Sequence, residues 1–180
     1  MSGPKFPAGQ SVETVDLPAW AIMWLLFSAV SVLFEAAFIF GRQYGTLPKG
    51  KFGWLFGALH IYSKVDPTYL DVSHDEVVAM EALNVLEALV IFAALLVPQM
   101  QHVTTMMMLT IVNIGQCWKT LWYQLSMLRR FSRVGVPAKA SKWCLYLVFG
   151  LLNTMYIIMP FLVAMSCMES LATTSRSFVP

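Results

Sequence analysis

Hydrophobic residues cluster in four long segments, which are separated by stretches rich in charged residues, glycine and proline. The segments run from Trp20 to Phe40, from Val77 to Val97, from Val103 to Leu128 and from Trp143 to Met165. Each reaches the length of about 20 residues that a helix needs to cross the hydrocarbon core of a bilayer. Lipid offers no hydrogen-bond partner for free backbone groups, so these segments must be helical. The pattern predicts an all-α polytopic membrane bundle of four transmembrane helices.

The segments also define the predicted domain organisation. We expect an N-terminal tail over 1–19, a four-helix transmembrane domain over 20–168 and a C-terminal tail over 169–180. The first and third loops between the segments carry nine of the twelve lysines and arginines. These two loops lie on the same side of a four-span bundle, and the positive-inside rule assigns that side to the cytosol.

The overall composition excludes several classes of protein. The chain is 58% hydrophobic and only 12% charged, whereas a soluble domain carries about 25% charged residues. Mean hydropathy is +0.65, and the net charge of +2 gives no basic footprint for nucleic acid. The three cysteines are odd in number and lie in apolar stretches, so they are interpreted as packing residues and not as a disulfide or zinc framework.

The first loop contains its own hydrophobic segment. Aromatic and aliphatic residues from Phe52 to Tyr62 predict a short helix, and the residues from Lys64 to Tyr69 predict a turn that leads into the second span. Two interpretations of the short helix remain open, an ordinary membrane-surface helix and a lid over a cavity.

Every predicted span carries polar side chains at helical spacing, where lipid-facing positions would be apolar. Residues three or four apart share a helix face, so each span has a polar stripe, and four stripes that meet would enclose a polar pocket with apolar walls. The candidate residues on these stripes are Ser31, Glu35, Glu81, Asn84, Gln116, Tyr123, Asn153 and Tyr156.

Glu35 and Glu81 are the strongest candidates for chemistry, because intramembrane carboxyls are costly and are usually retained for function. Desolvation disfavours the charged form of a carboxyl. One that stays protonated can give its proton to an alkene or an epoxide oxygen, while a second removes a proton or orients water. The alternative is interhelical hydrogen bonding that holds the bundle together, and Glu87 could simply pair with Lys119.

Four short motifs follow one another in the order of the predicted spans. They are Ser31 to Glu35, Tyr62 to Tyr69 followed by Met80-Glu81-Ala82, Ile114-Gly115-Gln116 with Tyr123, and Asn153 to Tyr156 ahead of Pro160. Together, from about Trp20 to Met165, they resemble the emopamil-binding protein (EXPERA) superfamily, which includes the sterol Δ8–Δ7 isomerase and the sigma-2 receptor. Where the isomerases of that superfamily have a histidine and a tryptophan, this chain has Ser31 and Tyr156.

The resemblance implies a helical bundle around a lipid-accessible cavity, in which Glu35 and Glu81 are catalytic and move protons through a carbocation. It also implies that Gln116 and Asn153 lie in the cavity wall, and we predict that all the candidate polar residues other than the two glutamates bind substrate. We therefore predict a membrane-embedded enzyme that isomerises, cyclises or hydrolytically opens a hydrophobic lipid, terpenoid or polyketide-type intermediate. A non-catalytic sterol or lipid binder, similar to the sigma-2 receptor, is the alternative, and a structural membrane subunit is a third interpretation.

The expected partners follow from the same interpretation. They are a hydrophobic small-molecule substrate and membrane lipid, with a homodimer left open and nucleic acid excluded. No cofactor and no metal are expected, since proton transfer needs neither. The endoplasmic reticulum is the membrane that the resemblance implies.

Overall fold

The computed structural model of the protein describes residues 17–43, 54, 56–71, 75–96, 102–138 and 140–176. Within these ranges the secondary structure is helical throughout, without a β-strand. The α-helices are α1 (Ala19–Gln43), α2 (Gly57–Tyr62), α3 (Asp75–Leu96), α4 (His102–Val134) and α5 (Leu152–Arg176). A 3₁₀ helix spans Pro67–Leu70, and a π-helix over Cys144–Leu151 runs directly into α5. The all-α prediction is confirmed for these residues.

Local sequence signals explain where the long helices begin and end. Pro18 precedes α1, and its carbonyl accepts the first backbone hydrogen bond from Ala21 at 2.9 Å. Asp75 and Glu76 form the first turn of α3, where negative charge is favourable beside the helix N-terminus. After α4, Gly135 adopts φ +83° and donates its N–H to the Phe131 carbonyl at 2.9 Å, a left-handed cap that suits glycine.

The four long helices share one apolar core at one end of the bundle. α1 packs mainly on α3, α3 also packs on α4, and α4 packs on α5. Fully buried members of this core come from all four helices: Leu25, Ala29, Ala88, Ile91, Met106, Leu109, Val163 and Cys167. Because neighbouring long helices run in opposite directions, the polar stripes fall together in the other half of the bundle.

Three stretches of described helix are long and apolar enough to cross a membrane: 19–42, 75–96 and 144–174. They contain the first, second and fourth predicted spans almost completely. The third predicted span, from Val103 to Leu128, lies within α4, which has 33 residues. α4 is not among the three, because polar residues such as Asn113, Gln116 and Lys119 lower its hydropathy.

The last helix extends further than the sequence pattern predicts. The segment 169–180, predicted as a tail, is helical as far as Arg176, and its remaining residues lie outside those described. Threonine side chains in this final part donate back to helix carbonyls, for example Thr173 to Glu169 at 2.9 Å. The predicted N-terminal tail over 1–19 lies outside the described residues except for its last three.

Candidate active site

A cavity of about 450 Å³ lies in the half of the bundle that the apolar core leaves open. α1, α3, α4 and α5 each contribute to its wall, and α2 covers part of it. All eight candidate polar residues line this one cavity: Ser31, Glu35, Glu81, Asn84, Gln116, Tyr123, Asn153 and Tyr156. The structure therefore brings together every residue of the predicted site, although their roles stay predictions.

The first carboxyl, Glu35, is held by a tyrosine from the 3₁₀ helix. The Tyr69 hydroxyl donates a hydrogen bond to Glu35 Oε1. Burial, together with the nearby Glu35 charge, raises the pKa of Tyr69, so its phenol stays a proton donor at physiological pH. Glu35 therefore has a fixed neutral donor on one oxygen, and it is close enough to Lys119 for an electrostatic interaction.

The second carboxyl, Glu81, has a different environment. It is buried, it is hydrogen-bonded to Asn84, and it is close enough to Glu35 for the two carboxyls to interact electrostatically. Its Oε2 atom is buried without a hydrogen-bond partner among the described residues. The two carboxyls of the cavity thus differ in the way their oxygens are hydrogen-bonded.

Beside Glu81, a lysine connects α3 and α4. Lys119 Nζ forms an ion pair with Glu87 Oε2 at 2.6 Å and also donates to Asn84 Oδ1. The pairing of Glu87 with Lys119, one of the alternatives considered from the sequence, is confirmed. Asn84 makes an interhelical hydrogen bond as well as lining the cavity, so it serves the structural role that the other alternative predicts.

A chain of hydrogen bonds runs along the opposite wall from α5 to the first loop. Asn153 Nδ2 donates to the Tyr62 hydroxyl at 3.3 Å, and Tyr62 donates to the Tyr123 hydroxyl at 2.9 Å. Tyr123 in turn donates to Asp66 Oδ2 at 2.6 Å. The chain ties α2, α4 and α5 together, so Tyr123 and Asn153 hold the cavity wall in position.

The remaining candidates lie where α1 approaches α5. The Ser31 side chain lies beside the Tyr156 hydroxyl, and the Tyr156 ring meets Trp24 edge-on at a centroid distance of 5.4 Å. This ring stands beside the carboxyl-bearing face of α1. Its face can stabilise positive charge within the cavity.

The first-loop segment 56–71 covers the cavity, so of the two interpretations left open for it the structure favours a lid. Ala58, Leu59 and Tyr62 line the cavity, and the Phe56 ring stacks on Phe34 of α1 at 4.7 Å. The sequence predicts a short helix from Phe52 to Tyr62. Of these residues, those before position 56 lie outside the described ranges, except for Trp54. The helix that the sequence predicts there is confirmed over Gly57–Tyr62.

Sequence analysis missed three residues of this segment and its contacts. Tyr62, Tyr69 and Asp66 belong to a motif of the EXPERA resemblance and to the predicted short helix and turn, but the sequence pattern predicted no role for them in the site. Asp66 is completely buried and accepts hydrogen bonds from the Thr68 backbone N–H at 3.0 Å and from its hydroxyl at 2.6 Å. Arg130 Nη1 lies 3.8 Å from the same carboxylate. An acidic residue just before a proline is the sequence signal that could have identified this cap.

Asp66→Asn is expected to loosen the segment 56–71 without unfolding the bundle. The substitution keeps the size of the side chain but removes the charge that Thr68, Tyr123 and Arg130 share, and each hydrogen bond to a charged group is worth about 1.5–3 kcal/mol. Hydrogen exchange measured by mass spectrometry in detergent should become faster in 56–71 and stay unchanged in α5. Asp75→Asn, an exposed change at the start of α3, is the matched control, and equal exchange in both variants would contradict the role of Asp66.

Among the described residues, no group of three or more histidine, cysteine, aspartate or glutamate side chains is arranged to hold a metal ion. The described residues that line the cavity offer carboxyls, amides, phenols, hydroxyls and the Lys119 ammonium. No family model matches the chain, and neither a curated protein nor a solved structure matches it. The resemblance to the EXPERA superfamily accordingly stays a prediction based on the motifs.

Proposed function

We propose that this protein is a membrane-embedded acid/base enzyme that acts on an alkene or an epoxide in a hydrophobic lipid, terpenoid or polyketide-type intermediate. The observation that carries the proposal is that Glu35 and Glu81, from two different helices, line one cavity. Two carboxyls with different hydrogen-bond partners favour a division into one acid and one base. Mere stabilisation of the bundle requires no acids, and amides or hydroxyls would serve it as well.

In this proposal α4 also crosses the membrane, which brings the number of transmembrane helices to four. Its polar side chains, Gln116, Lys119 and Tyr123, line the cavity, whereas Ile111, Trp118 and Trp122 are exposed on its outer surface. A helix whose polar groups face the bundle interior can span lipid even when its average hydropathy is modest. The endoplasmic reticulum is the membrane proposed from the resemblance to the EXPERA superfamily.

The proposed reaction begins when the protonated carboxyl gives its proton to the substrate. With an alkene, the π electrons form a new C–H bond and leave a carbocation; with an epoxide, the oxygen takes the proton and a C–O bond breaks. Loss of a neighbouring proton to the second carboxylate then forms an alkene, which is isomerisation. Attack by another group of the same molecule closes a ring, and attack by water on the protonated epoxide gives hydrolysis; in both cases the second carboxylate takes the proton that the resulting cation loses.

Proton return from the second carboxyl to the first completes the cycle. The two groups are close enough to interact electrostatically. Lys119, although paired with Glu87, is close enough to both of them to favour the carboxylate form electrostatically. The enzyme therefore needs no external proton source between isomerisation or cyclisation events.

The test is mass spectrometry of lipid extracts from cells that express wild type or Glu81→Gln at equal protein levels. A hydrophobic compound is expected to accumulate in the variant and to be consumed by the wild type. If this compound and the wild-type product have the same mass, the reaction is isomerisation or cyclisation. If the compound is lighter than the product by one water, the reaction is hydrolysis.

Glu76→Gln is the matched control, because Glu76 lies on the same helix but is exposed and outside the cavity. It should give the wild-type extract. Identical extracts from wild type and Glu81→Gln, across several hosts and precursor feeds, would contradict catalysis. Ligand uptake without a product would then indicate the non-catalytic sterol or lipid binder.

A further inference from the structure

One amide oxygen in the cavity wall has no hydrogen-bond partner among the described residues. Gln116 exposes only 2% of its surface, and its Oε1 atom makes no hydrogen bond to any described residue. A buried polar atom without a partner costs about 1–3 kcal/mol, and such atoms in native proteins usually have a bound partner or a functional reason. Because Gln116 lines the cavity, the missing partner can come from a molecule bound there.

The position of Gln116 distinguishes it from Asn113, which also has a buried amide oxygen without a hydrogen-bond partner among the described residues. Asn113 lies one turn earlier on α4. Asn113, however, does not line the cavity, and its Nδ2 atom donates to the Leu109 carbonyl at 2.7 Å. Of these two side chains, only Gln116 therefore belongs to the cavity wall where a ligand would bind.

A hydroxyl is the ligand group that fits this amide best. It can donate to an amide oxygen and accept from an amide nitrogen, so it satisfies the side chain in either orientation of the amide. The surrounding wall includes Phe27, Val30 and Leu152, which suit the apolar remainder of such a molecule. Glu81 Oε2, which is also buried without a partner among the described residues, stays available for the reacting group.

We propose that Gln116 is a specificity-determining residue that binds a hydroxyl group of the hydrophobic substrate. This inference rests on the proposed function and deepens it. The substrate is then an amphipathic alcohol, with its hydroxyl on Gln116 of α4 and its alkene or epoxide at the carboxyls. A pure hydrocarbon would leave the amide unsatisfied and would bind more weakly.

The test compares two probes with the same carbon number, farnesol and farnesene, in binding to the purified full-length protein in detergent. Binding is followed by the change in thermal unfolding temperature over a range of probe concentrations. One neutral hydrogen bond corresponds to a preference for farnesol of about three- to tenfold in Kd. Gln116→Met, which keeps the length of the side chain, is expected to bring this ratio close to one.

Asn113→Val is the matched control, since it also removes a buried, unpaired amide oxygen from α4, outside the cavity, and it should retain the preference for farnesol. Without a probe, Gln116→Met should not lower the unfolding temperature, because it removes an unsatisfied group. A large decrease would indicate an unseen structural hydrogen bond and would overturn the proposal. Equal affinities of the wild type for farnesol and farnesene, or binding of neither, would also overturn it. The proposal would likewise be wrong if Gln116→Met left the ratio of the two Kd values unchanged, because the amide would then hold only water.

The result is separable from the test of catalysis, because binding of farnesol requires no turnover. A preference for the alcohol that depends on Gln116, combined with unchanged lipid extracts, would support the hydroxyl site in a non-catalytic binder. Substrate accumulation in Glu81→Gln without such a preference would contradict the hydroxyl site alone.

Discussion

Glu35→Gln and Glu81→Gln are each expected to reduce turnover by about 10²- to 10⁴-fold, the usual contribution of a general acid or base. An amide of the same shape can neither give nor take the proton at neutral pH. It still fills the same volume, so the bundle should stay folded. Substrate binding should change little, which means that kcat falls while KM stays close to its wild-type value.

The substrate for this measurement is the compound that accumulates in cells expressing Glu81→Gln. Its turnover is measured with each purified enzyme variant. The double variant is expected to be no slower than the slower single variant, because residues that act together in one proton-transfer sequence have non-additive effects. Glu76→Gln again serves as the control on α3. If the two effects on the transition-state free energy were fully additive, or if either single variant kept wild-type turnover, the paired acid/base roles would be wrong.

Lys119→Met is expected to lower the free energy of unfolding by about 3–5 kcal/mol, the usual cost when one partner of a buried ion pair is removed. Only 13% of the Lys119 side chain and 16% of the Glu87 side chain are exposed, so the remaining carboxylate would have no nearby cation and little water. Asn84 would lose its interhelical hydrogen bond in the same variant. The measurement is thermal or SDS-induced unfolding in detergent.

A second substitution separates the cost of an unpaired charge from the loss of packing. Lys119→Met combined with Glu87→Gln removes both charges and should recover most of the lost stability, which a double-mutant cycle quantifies. Lys142→Met, at an exposed position before the π-helix, should change the unfolding free energy by no more than about 0.5 kcal/mol. Failure of Glu87→Gln to restore stability would contradict the ion pair as the source of the effect.

The sequence was sufficient to predict the elements that depend on periodicity. Glu81 and Asn84 are three residues apart on one helix face, as are Asn153 and Tyr156, so a bundle that buries these faces must bring them to one cavity. In the structure all eight candidate residues line one cavity, and their roles stay predictions. The same reasoning offered the pairing of Glu87 with Lys119 as an alternative, because two opposite charges on facing helices in lipid strongly favour contact.

Other parts of the site depend on contacts between residues that are far apart in the sequence and not regularly spaced. Tyr69 reaches Glu35 across 34 positions of the chain, and Tyr123 reaches Asp66 across 57. The loop that brings them together has neither helical nor strand spacing, so only the folded chain identifies these partners. Hydropathy alone also treats every side chain as if it faced lipid, which explains why α4, with its inward-facing polar groups, differs from the other predicted spans.

The π-helix over Cys144–Leu151 makes the segment ahead of α5 a place where the chain can change its length with little effect on the cavity. A π-helix carries more residues per turn than an α-helix, so loss of one residue there favours ordinary α-helical geometry. In a continuous α-helix, a one-residue deletion rotates every later position by about 100° relative to the earlier ones. In the π-helix the tighter α-helical turn offsets most of that rotation, because fewer residues then complete the same number of turns. Asn153 and Tyr156 therefore stay in the cavity wall, and over evolutionary time this segment can gain or lose a residue while the part of the site on α5 is preserved.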